Sequence, residues 1–300
     1  MTAPGSLVTV GLPVYNGEDF VEEALRSILA QDYADLEVLV ADNASTDDTL
    51  DRCRALAAGD ARVRVLTSDR NRGAAWNYNR LLHEASGRYF KWAAADDVCA
   101  PGFVRSCVEV LQQEGPDTVI AFPQSELIDE SGAVLGAVDD AHLALRSATP
   151  HERLDPLLQN RFEWHPVFGV MPTARARTTR GIGSYVLADV VFLVEMALMG
   201  RFAQVPETLF LRRYHTERPL VAQPRFKDQA AWFDTDAGGG ASFPQVNAAK
   251  ELLRAIARSS LPGAEKSRCA RTATRAYILP HWRHMGGEAK LAIRERAGRA

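Results

Sequence analysis

The stretch YFKWAAADDVCAPGF, residues 89–103, runs through apolar positions and stops at two adjacent aspartates, Asp96 and Asp97, before Pro101. Asp is common where a strand surfaces and a helix is about to begin, so a turn alone would account for the pair. At the end of a buried strand, however, two carboxylates also supply the hard oxygens that Mg2+ or Mn2+ takes, with positions left for phosphate and water. Other polar groups interrupt apolar runs at Pro13–Gly17, at Asp42 with Asn43, and at Asn71–Gly73. In the last of these, Arg72 is a permanent cation and Gly73 a small residue opening a helix, which suits a diphosphate, although a solvated arginine is equally ordinary. Asp189 follows the Gly-containing GIGSY at the start of an apolar run, where spacing alone suggests a helix-start residue.

Strand-like and helix-like runs alternate around these residues. LVTVGLPVY, LEVLVADN, VRVLTSD and RYFKWAAAD read as strands, each short and apolar. Between them lie the helical patterns NGEDFVEEALRSILAQ, STDDTLDRCRALAA and GAAWNYNRLLHEA. In the first, Phe20, Val21, Ala24, Leu25, Ile28 and Leu29 form one face. In the second, Ser45 and Asp48 have the spacing of an acidic capping box. Strand, helix, strand in this rhythm predicts a parallel sheet covered on both faces, with ligands held beyond the carboxyl ends of the strands. Further on, the pattern predicts a helix over 101–115, a hairpin over 118–136, a helix at about 188–199 and strands over 201–215. Residues 139–160 read as irregular or helical. The tail from 225 has a break at Gly238–Gly240 and then helical segments containing VNAAKELLRAIARSS.

The 300 residues include 46% hydrophobic ones, enough to bury a large core. Lys+Arg 35 against Asp+Glu 38 leaves a net charge of -3, so no overall basic field draws nucleic acid. The cysteines Cys53, Cys99, Cys107 and Cys269 form no CxxC pair, which predicts neither a zinc site nor a disulfide framework. The start MTAPGSLVTV lacks the features of a signal peptide, and the apolar run VVFLVEMALMG is short and broken by Glu195. The expectation is a cytoplasmic protein with no transmembrane segment, peripheral attachment to a membrane being left open.

VTVGLPVYNGEDFVEEALRSILAQDYADLEVLVADNASTDDT, followed by GRYFKWAAADDVCAP, resembles the nucleotide-binding half of family 2 glycosyltransferases with the GT-A fold. The resemblance implies an α/β protein with a mostly parallel central sheet flanked by helices and a C-terminal helical extension. Its expected divisions are 1–224 for the GT-A domain, split into a nucleotide-binding half (1–98) and an acceptor half (99–224), and 225–300 for the extension. It implies that Asp42 accepts the N3 hydrogen of uracil, with Pro13, Tyr15 and Asn16 completing the nucleoside pocket. From the residues alone, Asp42 reads as an Asx turn leading a helix, and Tyr15 could be core. The resemblance makes Asp97 the metal-side carboxylate and turns Asp96 toward the ribose or donor sugar. Many relatives carry a further Asp where this chain has Ala94. Asp189 takes the role of base, with Glu195 in reserve. In LFLRRYH, which resembles a basic segment near the donor phosphates, Arg213 and His215 become candidates for phosphate or metal. Trp164 and His165 could line an acceptor pocket, though packing explains them more simply.

The expected activity is therefore inverting transfer of a sugar from a nucleotide-diphosphate donor to a hydroxyl of a saccharide, lipid or small acceptor, assisted by Mn2+ or Mg2+. The donor expectation is a UDP-sugar, with a dTDP-sugar presenting the same base edge. Two alternatives stand beside it: a sugar-1-phosphate nucleotidyltransferase, and an inactive relative that only binds nucleotide sugar. The loop PVYNGEDF lacks the Gly-rich, basic character the first would need.

Overall fold

A computed structural model describes residues 6–160, 164–215, 232, 233, 235 and 243–297. Strands β1 (Val8–Val14), β2 (Leu36–Asp42), β3 (Val63–Thr67) and β4 (Tyr89–Trp92) pair in parallel in the order β3-β2-β1-β4. Helices α1 (Val21–Leu29), α2 (Thr49–Gly59) and α3 (Ala74–Glu84) make the crossovers. The parallel register puts Val14, Asp42 and Thr67 level at the carboxyl ends. Side chains alternate between two apolar clusters, one on each face, as the two-residue period of a strand requires. On β2, Leu39 and Ala41 enter one cluster while Val38 and Val40 enter the other. Gly11 has a packing reason, since a Cβ there would lie 2.9 Å from Leu81 Cβ on α3.

The second half departs from the parallel rhythm. After the two-residue β5 (Val98–Cys99) and α4 (Phe103–Glu114), the long β6 (Thr118–Ile128) turns into β7 (Val134–Ala137), the predicted hairpin. Asp129 Oδ1 closes that turn by accepting the backbone N–H groups of Ser131 and Ala133 at 2.8 and 2.9 Å. Residues 150–159, within the stretch read as irregular or helical, form helix α5, with Pro150 in its first turn and Pro156 inside it. The two-residue β8 (Met171–Pro172) extends the first sheet as an antiparallel edge beside β4. Helix α6 (Ala188–Met199) lies where expected, but 201–213 is a single strand, β9 (Arg201–Arg213), instead of several. It pairs parallel to β6 and antiparallel to β5, giving a second sheet in the order β5-β9-β6-β7.

Helices α7 (Pro244–Arg258), α8 (Gly263–Ala273) and α9 (Leu279–Ala297) complete the described chain, with a π-helical turn over Thr274–Ile278 between the last two. Their inner residues Ala248, Leu252, Ile256, Cys269, Ala273 and Tyr277 join the same apolar cluster as Phe90, Trp92 and Phe192. The predicted break at Gly238–Gly240 and the 224/225 boundary lie outside the described residues. No helix among the described residues is long and apolar enough to cross a membrane.

Candidate active site

The loops after β1 and β2 are laced together. Asn16, at φ 49°, donates its backbone N–H to Ser45 Oγ at 3.0 Å and accepts the Thr46 N–H on its side-chain oxygen at 2.9 Å. Gly17 N–H reaches Thr49 Oγ1 at 2.8 Å, and Glu18 accepts from Asp48 N–H at 3.0 Å. Ser45 and Asp48 are thereby committed across the loop, and the capping box expected between them does not form. Helix α2 receives no side-chain cap from Asp48; Asp47 accepts from Thr49 N–H instead.

Asp42 ends β2 almost fully buried. Its Oδ2 accepts the Ser45 N–H at 3.2 Å, which is the Asx turn read from the sequence. Its Oδ1 is buried without a hydrogen-bond partner among the described residues. A buried acceptor left unsatisfied costs about 1–3 kcal/mol, so it marks a place where a donor is missing. Pro13 is buried in β1 beside Ala41, whereas Tyr15 is 42% exposed and is not a core residue. Asn43 fixes the third loop: its amide donates to Asn71 and Gly73, and its oxygen accepts the Arg72 N–H at 3.1 Å. The Arg72 guanidinium bonds Asp69 at 2.7 Å and lies 5.1 Å from the Trp76 ring centre. Thr235 donates to the Asn71 carbonyl at 2.9 Å, so the C-terminal part of the chain reaches this loop.

The acidic pair divides its work. Asp97 is buried and its Oδ1 accepts the backbone N–H of Arg213 at 2.9 Å. Asp96 is half-buried and its Oδ2 lies 3.0 Å from His215 Nε2. His215 packs against Phe20 with ring centres 4.8 Å apart, and its Nδ1 is buried without a hydrogen-bond partner among the described residues. Arg213, a candidate for phosphate or metal, is turned to acceptors of the protein itself. Its fully buried guanidinium is consumed by the carbonyls of Asp96, Asp129 and Glu130 and by Glu23, at 2.6–3.0 Å. Five donors in a fixed fork make arginine the residue able to tie so many acceptors at once.

Asp189 stands in the first turn of α6, entered through Leu187 at φ 71°. A left-handed non-glycine residue costs about 1–2 kcal/mol, which the burial of the following apolar helix must offset. Burial pushes the Asp189 carboxyl above the ordinary aspartate range, and backbone N–H groups of the helix start only partly oppose the shift. Helix α3 joins the two acidic regions: the Tyr78 carbonyl accepts the Trp92 Nε1–H at 3.0 Å at the end of β4, and Asn79 exchanges hydrogen bonds of 2.7 and 2.8 Å with the Ile182 backbone in the loop before α6. Burial raises the Tyr78 phenol, and Asp96, Asp97 and Asp189 raise it further. Sequence reading gave Tyr78 no role, because its contacts with Trp92 form only in the fold. Glu195, the reserve base, is engaged elsewhere: its oxygens accept the Arg180 N–H at 2.7 Å and pair with Arg258 at 3.1 Å.

His165 is a buried packing residue, 2.7 Å from Asp140 Oδ2 and edge-on to Phe122. Burial would raise the Asp140 carboxyl, but His165, Ser125 and Gln204 together hold it below the usual range. Trp164 donates to the Leu157 carbonyl at 3.4 Å and packs on the core.

Among the described residues no group of three or more His, Cys, Asp and Glu is arranged as a ready metal cage. That is compatible with an ion that takes most of its ligands from phosphate and water. Two carboxylates and an imidazole with an unpartnered nitrogen fit Mn2+ by donor type. Asp97, Asp96 and His215 are the residues that could hold it.

The parallel sheet, with Asp42 and the Asp96–Asp97 pair at its strand ends and Asp189 on a separate helix, has the architecture of GT-A glycosyltransferases. The chain belongs to glycosyl transferase family 2, whose profile matches residues 9–168. It is 34% identical over 128 residues to an uncharacterized glycosyltransferase of Rickettsia conorii, covering 42% of this chain and 21% of that protein. It is 38% identical over 92 residues to the Escherichia coli UDP-Glc:alpha-D-GlcNAc-diphosphoundecaprenol beta-1,3-glucosyltransferase WfgD, covering 31% and 36%. The chain thus spans about a fifth to a third of the length of these curated relatives. Among solved structures, Staphylococcus aureus TarS with UDP-GlcNAc superposes at TM-score 0.67 and 15% identity, covering 92% of this chain and 75% of that one. The Pyrobaculum calidifontis mannosyltransferase PcManGT with GDP-Man and Mn2+ superposes at TM-score 0.56 and 19% identity, covering 98% and 75%.

Proposed function

We propose that the protein is an inverting, metal-assisted glycosyltransferase that uses a uridine-diphosphate sugar and delivers the sugar to an acceptor hydroxyl. The observation that carries this reading is the buried Asp42 oxygen without a partner among the described residues, at the carboxyl edge of the same parallel sheet whose β4 leads into Asp96 and Asp97. Asp42 accepts the uracil imide hydrogen, Pro13, Tyr15 and Asn16 border the nucleoside, and Arg72 lies toward the diphosphate. Asp97 and His215 hold the divalent ion, with Asp96 toward the ribose or donor sugar. When bound, the ion offsets the charge that develops on the departing diphosphate. Asp189 takes the proton from the acceptor hydroxyl, and its raised affinity for protons makes it a better base than an exposed aspartate. Direct attack by that hydroxyl inverts the anomeric carbon. The UDP-Glc named for WfgD and the UDP-GlcNAc bound by TarS support a uridine donor, and the Mn2+ of PcManGT supports the metal.

The test is thermal denaturation with a panel of nucleotide sugars, with and without Mn2+. A ligand at a hundred times its Kd stabilises by about 2.7 kcal/mol. Stabilisation by UDP-sugars that grows with Mn2+ is expected, and equal responses to UDP-, GDP- and CMP-sugars would remove the donor assignment.

A further inference from the structure

The C-terminal helices present a continuous outer face that the donor site does not use. Arg268, Arg271, Arg275, Leu279 and Trp282 recur at intervals of three or four residues along α8, the π-helical turn and the start of α9, with Arg283 beside Trp282, and all are exposed. Cys269, Ala273, Ala276 and Tyr277 on the other side of the same helices are buried. Trp282 is 61% and Leu279 58% exposed, an unusual position for two large apolar side chains so close together. The Arg283 guanidinium lies 5.5 Å from the Trp282 ring centre. Between residues 263 and 290 there are six Lys and Arg against two Glu and no Asp, although the whole chain carries net charge -3. Arg268, Arg271, Arg275 and Leu279 also line an open groove of about 820 Å3. The arginines at its edges are paired only in part, Arg275 with Asp155 at 2.8 Å and Arg268 with Glu265 at 3.1 Å.

We propose that this face is a docking surface for an anionic lipid bilayer, with Leu279 and Trp282 entering the interface and the surrounding arginines meeting lipid phosphates. Tryptophan favours the boundary between water and acyl chains, and arginine meets phosphate through its planar fork. A face that joins exposed Trp and Leu to a local basic excess fits a bilayer better than a soluble polyanion, which gives Leu279 nothing to bury against. The binding is reversible and peripheral, since a short amphipathic face adds apolar contact to charge attraction without spanning the membrane. The proposal stands on the exposed face alone and does not require the donor or metal assignments.

The experiment is sedimentation of the full chain with vesicles of phosphatidylcholine, alone or with phosphatidylglycerol added, across a range of salt. Binding to the anionic vesicles, little to the neutral ones, and loss with salt are expected. Each basic residue near the surface is worth about fivefold in partitioning, so R271Q/R275Q/R283Q should lose roughly a hundredfold. Leu279→Ser with Trp282→Ser should also weaken binding while retaining the salt dependence. Both variants should keep the parent melting temperature and UDP affinity, which separates this test from the test of the donor site. Absence of vesicle binding, equal binding to both vesicle types, or capture by heparin or nucleic acid without vesicle binding would overturn the proposal.

Discussion

Arg213 holds both members of the acidic pair from a single position, its backbone N–H on Asp97 Oδ1 at 2.9 Å and its guanidinium on the Asp96 carbonyl at 3.0 Å. The last residue of β9 thereby sets the geometry of a loop more than a hundred positions earlier. Lysine keeps the charge but lacks the fork, and would leave carbonyls of Asp96, Asp129 or Glu130 without donors. Arg213→Lys should lose about 1–3 kcal/mol of stability and weaken Mn2+-dependent UDP binding tenfold or more, read by denaturant melts and calorimetry. Unchanged values of both would show that the clamp is dispensable.

Asp42→Ala removes the unpartnered oxygen and one contact to Ser45 N–H. The fold should survive, because the strand on which it sits stays paired on both sides. Calorimetric affinity for UDP should fall at least tenfold. The parent should prefer UDP to CDP, whose ring nitrogen at the same place carries no hydrogen, and to GDP. Parent affinities that are equal for all three nucleotides would refute base recognition through Asp42.

Two phosphate charges beside two carboxylates repel, each close like-charge pair costing roughly 4 kcal/mol at the surface. Chelator should therefore abolish turnover, and Mn2+ should restore it. Asp97→Asn and His215→Ala should each raise the Mn2+ concentration needed for half-maximal UDP binding. Full activity in chelator would leave Asp96 and Asp97 as elements of the turn and the Arg213 clamp alone.

Asp189→Asn separates chemistry from folding. Because burial raises this carboxyl, its ionisation costs stability as pH rises through its folded pKa, so the amide variant should be at least as stable as the parent at neutral pH. The rate has the opposite dependence, since a base works only when deprotonated. The acid limb of kcat/KM should lie above the ordinary aspartate value of about 3.9 and disappear in the variant. Single-turnover transfer should fall by about a hundredfold or more while donor affinity holds. A rate within threefold of the parent would send the base role to another residue.

The sequence by itself determined the parallel half of the sheet, since the buried strands and their crossover helices announce themselves through local period and punctuation. It also made Asp42, Asp96, Asp97 and Asp189 candidates, because a carboxylate at the boundary of an apolar run is conspicuous wherever the run leads. What it could not contain was partnership between distant positions. Arg213 and Glu195 looked like candidates for phosphate and proton, and became structural once their atoms were spent on Asp96, Asp129 and Glu130 in one case and on Arg180 and Arg258 in the other. Ser45 and Asp48 had the spacing of a cap, yet a neighbouring loop supplied better-placed groups in Asn16 and Glu18. Tyr78 gained its contacts with Trp92 only when α3 packed on the sheet. Local pattern is set by neighbours within a few residues, whereas the use of a polar atom is decided by whichever distant donor or acceptor the packed core brings within about 3 Å.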